Sequence, residues 1–426
     1  MDRLRHNQAQ PGNESIHAVL MGDLNLVRCF TGTGINTLSA ITDPDSILFY
    51  SQECRRHRLI GSPWAEPDKA VADLIALGRE LPDRPVLYYE GDATLLMISR
   101  NRDQLAPYYR FLMPPEEMVE DLVDKTRFAR LAARFALPVP DTIQSRQASS
   151  AAEILQRIAP PLILKPDSRH HGWDDSALIQ AEGGEPKKVL RANTADEFHR
   201  LYAGIRELTD DFVIQQYIPG GDDCIYSFHA YCNREAEPLA YFAGRKIRTW
   251  PRDSGLSTYL ELVREPEVIR LGLEILRKMK FVGPVKIDFK KDSSTNRFYV
   301  LEFNARFTLW NHLGAVSGIN LPLIAWADLT GQTVNPVRDY RTNIRWLSFG
   351  NDYRAFLRNY HADGDLSWAQ WLWSLSSPKV YDVFAWRDPK PFLITALNQL
   401  KRTIRATGLR YGLDVARLRS AGGLRK

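Results

Sequence analysis

The sequence predicts an α/β protein of several domains, and three features of its 426 residues support this prediction. Short apolar segments alternate with amphipathic ones over residues 15–120, which is typical of a parallel sheet with crossover helices. Longer β-rich runs follow over residues 121–335, and tryptophan and then arginine accumulate over residues 336–426. Hydrophobic residues make up 44% of the chain, which is enough for a substantial buried core.

Strand–helix–strand order recurs in the first of these blocks. His17–Met21 and Ile35–Ala40 have the length and composition of buried strands, with a short helical stretch between them. Ala70–Arg79 has the spacing of an amphipathic helix, and Pro85–Tyr89 again predicts a strand. We therefore expect a Rossmann-like α/β domain over residues 15–120.

The second block mixes helices with longer β-rich runs. Its predicted elements, in chain order, are helices over Thr126–Ala136 and Ser149–Ile158, strands over Pro161–Lys165 and Phe212–Ile218, β-rich runs over Cys224–Asn233 and Pro238–Ile247, a helix over Glu267–Met279, and a hairpin of Val285–Lys290 and Arg297–Phe303. The segment Asp292–Asn296 between the last two strands is rich in residues that favour turns. The block therefore predicts one domain of mixed structure over residues 121–335.

The third block, residues 336–426, predicts a helical, tryptophan-rich extension. Five tryptophans lie close together in the sequence and predict either internal packing or a docking face: Trp346, Trp368, Trp371, Trp373 and Trp386. Leu400–Lys426 contains eight basic residues and one acidic residue. Such a tail is either a solvated surface or a weak contact for anionic lipid or an anionic polymer.

Composition excludes several classes of protein. The net charge of +5 is small for this length, so we expect no nucleic-acid partner. The four cysteines form neither a CxxC pair nor a zinc-like cluster with histidine. Residues 1–14 are polar, so we expect a disordered lead rather than a signal peptide. No apolar run is long enough for a membrane span, and we expect a cytosolic protein.

A polar hairpin carries the first candidate site. Because side chains alternate along a strand, Asp288 lies on the face opposite to that of its apolar neighbours Ile287 and Phe289. For the same reason, Glu302 and Asn304 share one face. If the two strands pair, these oxygens meet and suit Mg²⁺, while Arg306 can hold a phosphate or carboxylate. An exposed hairpin with alternating polar residues would show the same spacing, so both interpretations remain open at this point.

Three residues upstream have weaker signals. Lys165 ends an apolar strand, where a lysine either extends its ammonium to solvent or contacts a phosphate. Lys125 opens a helix, where a solvated lysine is the ordinary interpretation. Gln215 lies inside an otherwise apolar strand and needs a polar partner, which the edge of an adenine ring would supply.

Several short segments, taken in their order along the chain, resemble the ATP-grasp superfamily, and the resemblance covers most of the chain. They are Asp124-Lys125, Leu162-Ile163-Leu164-Lys165-Pro166, Gln215-Gln216-Tyr217-Ile218-Pro219-Gly220, Asp288 and Glu302-Phe303-Asn304-Ala305-Arg306. The most similar branch is the carboxylate–amine ligases, including D-aspartate ligase-like proteins. The segment Asp388-Pro389-Lys390-Pro391 is similar to a terminal signature of predicted ATP-grasp carboligases.

The resemblance implies a two-lobed domain with ATP between its lobes and a lid over residues 165–225. Lys125 and Lys165 would hold the phosphates. Gln215 would accept from the adenine amino group, and the backbones of Gln216 and Ile218 would read the ring edge. Asp223 would hold the ribose hydroxyls.

The resemblance also assigns the metal and substrate contacts. Asp288, Glu302 and Asn304 would bind one or two Mg²⁺ or Mn²⁺ ions. Several basic side chains would hold the acyl phosphate or an acidic substrate, namely Arg306, Lys246 and Arg248, together with Arg245. The implied reaction joins a small carboxylate to an amine through an acyl phosphate, releasing ADP and phosphate, in an enzyme that is often a homodimer.

Two departures from the family pattern affect these expectations. Many members carry glutamate where this chain has Gln215, although a carbonyl acceptor is retained. The loop Ser168–Asp175 contains a single glycine, so its backbone can follow phosphates less freely. Its histidines and aspartates predict either a surface loop or a metal or γ-phosphate contact. The alternative function is an ATP-binding regulator or scaffold of the same fold, without ligase turnover.

Overall fold

The computed structural model describes residues 17–148, 150–166, 189–253 and 255–401. The expected disordered lead, the loop Ser168–Asp175 and nearly all of the basic tail lie outside these residues. In the described part of the chain the strands form three sheets, each of which corresponds to one part of the architecture.

The N-terminal domain is a four-stranded parallel sheet with the order β3-β2-β1-β4. Its strands are β1 (Ala18–Met21), β2 (Thr37–Ile41), β3 (His57–Leu59) and β4 (Val86–Tyr89). Its helices are α1 (Leu24–Arg28), α2 (Pro67–Glu80), α3 (Asp92–Arg100), α4 (Arg102–Leu105) and α5 (Glu116–Val123). This region therefore combines a parallel sheet with helices.

Strand β1 explains why both faces of this sheet are covered. All four of its residues are buried. Val19 and Met21 contribute to one hydrophobic core, and Ala18 and Leu20 contribute to another. A strand that is apolar on both faces is typical of parallel sheets enclosed between layers.

A second four-stranded sheet carries the lid side of the predicted nucleotide site. Its strands are β5 (Thr142–Gln144), β6 (Leu162–Pro166), β7 (Leu190–Ala192) and β8 (Phe212–Gln216), in the antiparallel order β5-β8-β6-β7. Helices α7 (Ala151–Arg157) and α8 (Ala195–Arg206) pack on it around a separate core. Helix α6 (Lys125–Arg134) precedes the sheet and is capped by Asp124, whose side chain accepts from the Arg127 backbone N–H at 2.8 Å.

The largest sheet has seven strands in the order β13-β12-β9-β10-β11-β14-β15. They are β9 (Ile225–Cys232), β10 (Pro238–Trp250), β11 (Leu256–Val263), β12 (Gly283–Lys291), β13 (Phe298–Asn304), β14 (Arg345–Leu347) and β15 (Lys379–Tyr381). Its helices are α9 (Pro266–Met279), α10 (Trp310–Ser317) and α11 (Leu321–Leu329). Strands β12 and β13 form the predicted hairpin at one edge.

The C-terminal extension is not purely helical, because it contributes β14 and β15 to the seven-stranded sheet, which is the central sheet of the protein. Its helices are α12 (Phe349–Ala355), a π-helical turn at Phe356–Tyr360 and α13 (Trp368–Ser374). The tryptophans do not form a single cluster. Trp346 and Trp371 are buried, whereas Trp373 and Trp386 are exposed.

The extension is also bound to the N-terminal domain. Asp388 is fully buried and accepts from Ser51 Oγ at 2.5 Å and from the Gln52 backbone N–H at 2.9 Å. Trp346 Nε1 donates to Asn25 Oδ1 at 3.0 Å. The segment around Asp388 is therefore part of the folded body of the protein.

Candidate functional site

A β-bulge shapes the predicted hairpin. Asp288 pairs with Glu302 and Phe289 pairs with Val300, so Leu301 is an extra residue on β13. Without this bulge, alternation would place Val300 and Glu302 on the same face. The bulge leaves Val300 in the core and places Glu302 and Asn304 beside Asp288, so the predicted set does come together.

Asp288 lies at the centre of this face. Its carboxylate accepts from Lys286 Nζ at 2.7 Å and from Ser227 Oγ. Burial favours the neutral carboxyl, but the nearby ammonium groups of Lys286 and Lys246, with these hydrogen bonds, hold the pKa of Asp288 below its ordinary range. The Asp288 carboxyl is therefore anionic at neutral pH.

Lys246 lies on the same face, in β10. Burial lowers the pKa of its ammonium, while the carboxylates of Asp288 and Glu302 oppose that shift. Lys246 lies two residues from Gly244, which pairs with Ser227 of β9, and Ser227 pairs with Asp288, so Lys246 shares the Asp288 face.

The two lysines that are predicted to bind phosphate, Lys125 and Lys165, precede the central face in the chain and lie on the side of the β5–β8 sheet. Lys165 Nζ donates to Gln215 Oε1 at 3.0 Å. Burial and then repulsion from Lys125 lower the pKa of Lys165 to about 8, and Glu302 opposes the shift. Lys125 and the Glu302 carboxylate of the seven-stranded sheet are therefore both within electrostatic range of the Lys165 ammonium.

Gln215 has both side-chain groups engaged. Its oxygen accepts from Lys165 and its Nε2 donates to Thr142 Oγ1 at 2.7 Å. An adenine amino group would therefore have to share or displace the Lys165 contact. The Gln216 backbone N–H already donates to Asp141 O at 2.8 Å, which leaves its carbonyl as the group able to read a ring edge.

The ribose end of the predicted site contains two adjacent aspartates with different surroundings. Ile218 follows β8 and is buried. Asp223 is exposed in a short 3₁₀ turn. Its neighbour Asp222 is buried and accepts from Thr249 Oγ1 at 2.8 Å, from the Asp253 backbone N–H at 3.1 Å and from Tyr360. Asp223 is therefore the aspartate accessible to a ligand.

Arg306 connects the site to the N-terminal domain. Its Nε donates to Asp92 Oδ1 at 2.7 Å and its Nη2 donates to Asn304 Oδ1 at 2.8 Å. Asp92 opens α3, directly after β4. The guanidinium therefore lies at the junction of two sheets, fixed at two of its three nitrogens.

The structure contradicts the role predicted for Arg248. Both Nε and Nη2 donate to the Asp352 carboxylate at 2.8 Å, and Nη1 donates to Ser374 at 3.2 Å. Arg248 is only 3% exposed, so it holds the C-terminal extension rather than a substrate. Its separation from Lys246 follows from an irregular register in β10 between these two residues.

Arg245 is also directed away from the site. It pairs with Glu261 at 2.5 Å and lies one residue from Lys246, so alternation places it on the other face of the sheet. Its weaker assignment as a substrate contact is therefore not supported by its position.

Three site residues were not predicted. Lys286 could have been found, since it lies two residues before Asp288 and therefore shares its face. Ser227 and His229 need the register of β9 against β12, in which they pair with Asp288 and Lys286. His229 is stacked between Phe242 and Trp310, at centroid distances of 4.6 and 5.2 Å.

The donor set fits a metal only together with a further ligand. Within the described ranges no three His, Cys, Asp or Glu side chains are grouped as a metal site. Asp288, Glu302 and Asn304 supply two carboxylates and one amide oxygen. Mg²⁺ commonly completes such a set with water and phosphate oxygens. Separately, no helix among the residues that the structure describes could cross a bilayer.

Comparison with known proteins gives distant relatives and one consistent architecture. No protein-family model matches the chain. D-aspartate ligase of Enterococcus faecium is 22% identical over 238 residues, covering 54% of this chain and 55% of that protein. The carbamoyl phosphate synthase large chain of Pyrococcus furiosus is 20% identical over 284 residues, covering 64% of this chain and 25% of that protein. The chain thus spans about half or less of these relatives.

A solved structure matches more of the chain. The complex of biotin carboxylase with β,γ-ATP from Campylobacter jejuni superimposes with a TM-score of 0.57 at 13% identity, covering 78% of this chain and 74% of that one. At this identity the likeness shows the shared fold. The predicted fold class is therefore confirmed.

Proposed function

We propose that this chain, which belongs to the ATP-grasp superfamily, is an ATP-dependent ligase that activates a carboxylate as an acyl phosphate and joins it to an amine. Relatives described as D-aspartate ligase and carbamoyl phosphate synthase support an ATP-dependent ligase. The assignment of individual residues to ATP, Mg²⁺ and substrate belongs to this proposal.

One observation carries the proposal: lysine ammonium groups gather at the face that carries Asp288 and Glu302. Lys286 Nζ lies 2.7 Å from Asp288 Oδ2, Lys246 shares this face, and Lys165, which donates to Gln215 at 3.0 Å, is within electrostatic range of Glu302. Burying like charges is costly unless an anion completes the site. A triphosphate with its divalent ion supplies that anion and also matches the carboxylate and amide oxygens opposite.

Each group then has a definite role in binding. When bound, MgATP would supply the phosphoryl group. Lys125 and Lys165 would neutralise its phosphates, while Asp288, Glu302 and Asn304 would hold the metal. The adenine would lie against the end of β8 at Gln216 and Ile218, and Asp223 would accept from the ribose.

The chemistry requires charge stabilisation and orientation. A carboxylate oxygen attacks the terminal phosphorus, the bond to the ADP oxygen breaks, and an acyl phosphate forms. Lysine ammonium groups stabilise the charge that spreads over the transferring phosphoryl oxygens. Arg306 would orient the carboxylate, because Asp92 and Asn304 fix its guanidinium from two sides. A neutral amine then attacks the acyl carbon, phosphate leaves, and the amine proton passes to solvent or phosphate.

ADP release tests the proposal. The wild-type protein with MgATP is screened against pairs of small carboxylates and amines, and Glu302→Ala is compared with Glu235→Ala. Glu235 is an exposed residue of the β9–β10 turn and serves as the matched control. We expect Glu302→Ala to lower ADP release at least about a hundredfold, as for loss of a preorganised electrostatic group. Unchanged Mg²⁺-dependent turnover in Glu302→Ala would refute the metal assignment.

A further inference from the structure

The C-terminal extension exposes many large apolar side chains. Of the fifteen large hydrophobic residues that are exposed in the described part of the chain, ten lie within residues 349–400. Trp386 and Trp373 are the most exposed of them, at 88% and 79%. Folded proteins seldom concentrate apolar surface in this way unless a partner covers it. The extension is therefore a candidate interaction surface.

The last helix that the structure describes carries part of this surface. It is α14, over residues 390–401, and Trp386 lies four residues before it. Leu393, Leu397 and Leu400 are each about half exposed. Their spacing of four and then three residues places them in one row along the helix. The row therefore has an outward side that no described part of the protein covers.

Two neighbouring helices extend the surface beyond α14. Helix α12 lies beside α14, since a Cβ at Gly350 would be 3.6 Å from Gln399 Nε2. Helix α12 also packs on α13, where the ring centroids of Tyr353 and Trp371 are 5.7 Å apart. Both of these helices expose further apolar side chains. We call the apolar side chains exposed by α12, α13, α14 and Trp386 the extension surface.

The charge exposed by the same segment is mainly positive. Five basic side chains are exposed within residues 349–401, namely Arg354, Arg358, Arg387, Lys390 and Lys401. The exposed acidic side chains of this segment are Asp363 and Asp365, and both pair with Arg252. The sequence of residues 402–426 adds seven basic residues and one acidic residue. A partner that fits the extension surface is therefore anionic as well as apolar.

We propose that the extension surface docks on a membrane that contains anionic lipid. The leucine row of α14 and the exposed tryptophans enter the boundary between headgroups and acyl chains, where such side chains are stable. The exposed arginines and lysines bind the phosphates of the headgroups. The extension surface contains none of the residues assigned to ATP, Mg²⁺ or substrate, so this inference is independent of the proposed function.

Two other occupants satisfy fewer of these observations. A second copy of the chain would cover the apolar side chains but would bring two sets of positive charge together. An anionic polymer would neutralise the charge but would leave the leucine row and the tryptophans in water. A membrane with anionic lipid meets both requirements, because its surface is negative and its interior is apolar.

Vesicle flotation of the full chain tests the inference. Vesicles of phosphatidylcholine are compared with vesicles that also contain about one third phosphatidylglycerol, at low and at high salt. The variant Leu397→Ser/Leu400→Ser is matched with Leu256→Ser, at an exposed leucine of β11. Wild type and Leu256→Ser should float with the anionic vesicles, and less so at high salt. The double variant should bind them at least about tenfold more weakly, since it has two fewer leucine side chains to bury.

A pair of tryptophan variants gives a second measurement. Trp386→Ser should weaken binding to anionic vesicles about three- to tenfold. Trp64→Ser, at an exposed tryptophan of the N-terminal domain, should bind as the wild type does. Circular dichroism and the urea midpoint show whether each variant is folded. If the double leucine variant does not fold, the tryptophan pair decides the question.

Several results would overturn the inference. Wild-type protein that does not float with anionic vesicles, or that floats equally well with phosphatidylcholine alone, contradicts docking on anionic lipid. Undiminished binding by both Leu397→Ser/Leu400→Ser and Trp386→Ser would leave only a contact between charges, as expected for an anionic polymer. A dimer in light scattering that the double leucine substitution dissociates would show that a second copy covers the extension surface instead.

Discussion

Replacing Lys165 with methionine should affect ATP binding and the free energy of unfolding in different ways. Methionine keeps the length of the side chain and removes its ammonium, which lies beside Gln215 and near Lys125. If Lys165 binds phosphate, its buried charge destabilises the folded protein when no ligand is present. The substitution should therefore abolish ATP binding without weakening the fold.

The structure sets the size of this effect. Burial, with repulsion from Lys125, lowers the pKa of Lys165 from 10.5 to about 8. At about 1.4 kcal/mol per pKa unit, the charged form costs roughly 3 kcal/mol at neutral pH. Methionine removes this cost but leaves Gln215 Oε1 without its donor, which costs about 1–3 kcal/mol. The free energy of unfolding should therefore stay equal or rise by up to about 2 kcal/mol.

The sign of the pH dependence follows from the same shift. Between pH 8 and 10.5 the unfolded chain keeps the Lys165 proton and the folded chain loses it. The free energy of unfolding of the wild type, relative to that of Lys165→Met, therefore rises with pH between pH 8 and 10.5. The variant has its full stability advantage only below pH 8.

Urea unfolding followed by tryptophan fluorescence measures both effects, with and without MgATP. At a hundred times its Kd, MgATP should stabilise the wild type by about 2.7 kcal/mol and Lys165→Met not at all. Lys390→Met, at an exposed lysine, is the matched control and should keep the full shift. A Lys165→Met variant that retained the MgATP shift would refute the assignment of Lys165 to phosphate.

Three further substitutions test other parts of the structure. Asp352→Ala leaves Arg248 buried without its partner and should cost about 3–5 kcal/mol in urea unfolding, and wild-type stability would contradict the buried pair. Gly22→Ala would bring a Cβ to 2.4 Å from Glu90 Oε2 and 2.7 Å from Leu26 Cδ2 and should lower the free energy of unfolding by about 1–3 kcal/mol, and wild-type stability would contradict this close packing. Trp386→Ser, at a side chain 88% exposed, should change the free energy of unfolding by less than about 0.5 kcal/mol, and a larger loss would show hidden packing.

The order of strands and helices was largely predictable because apolar periodicity is a local property of the sequence. His17–Met21 and Pro85–Tyr89 correspond closely to β1 and β4. Strands β14 and β15 are only three residues each. Such short strands carry too few residues for a periodic pattern, so the extension was expected to be helical.

The candidate site was predictable where residues alternate along one strand. Asp288, Glu302 and Asn304 come together as expected, although the bulge at Leu301 that makes this possible has no signal in the sequence. Arg248 was misassigned because its partner Asp352 is 104 residues away in the sequence. Pairings over such distances depend on the assembled sheet, and no local pattern reveals them.

If ATP activates a carboxylate as an acyl phosphate, one carboxylate oxygen is transferred to the released phosphate. The carboxylic acid that gives the highest ADP release is labelled with ¹⁸O in its carboxylate, and the released phosphate is analysed by mass spectrometry. We expect one labelled oxygen in each phosphate, because the carboxylate oxygen that attacks phosphorus leaves with it. ADP release with unlabelled phosphate would rule out an acyl phosphate.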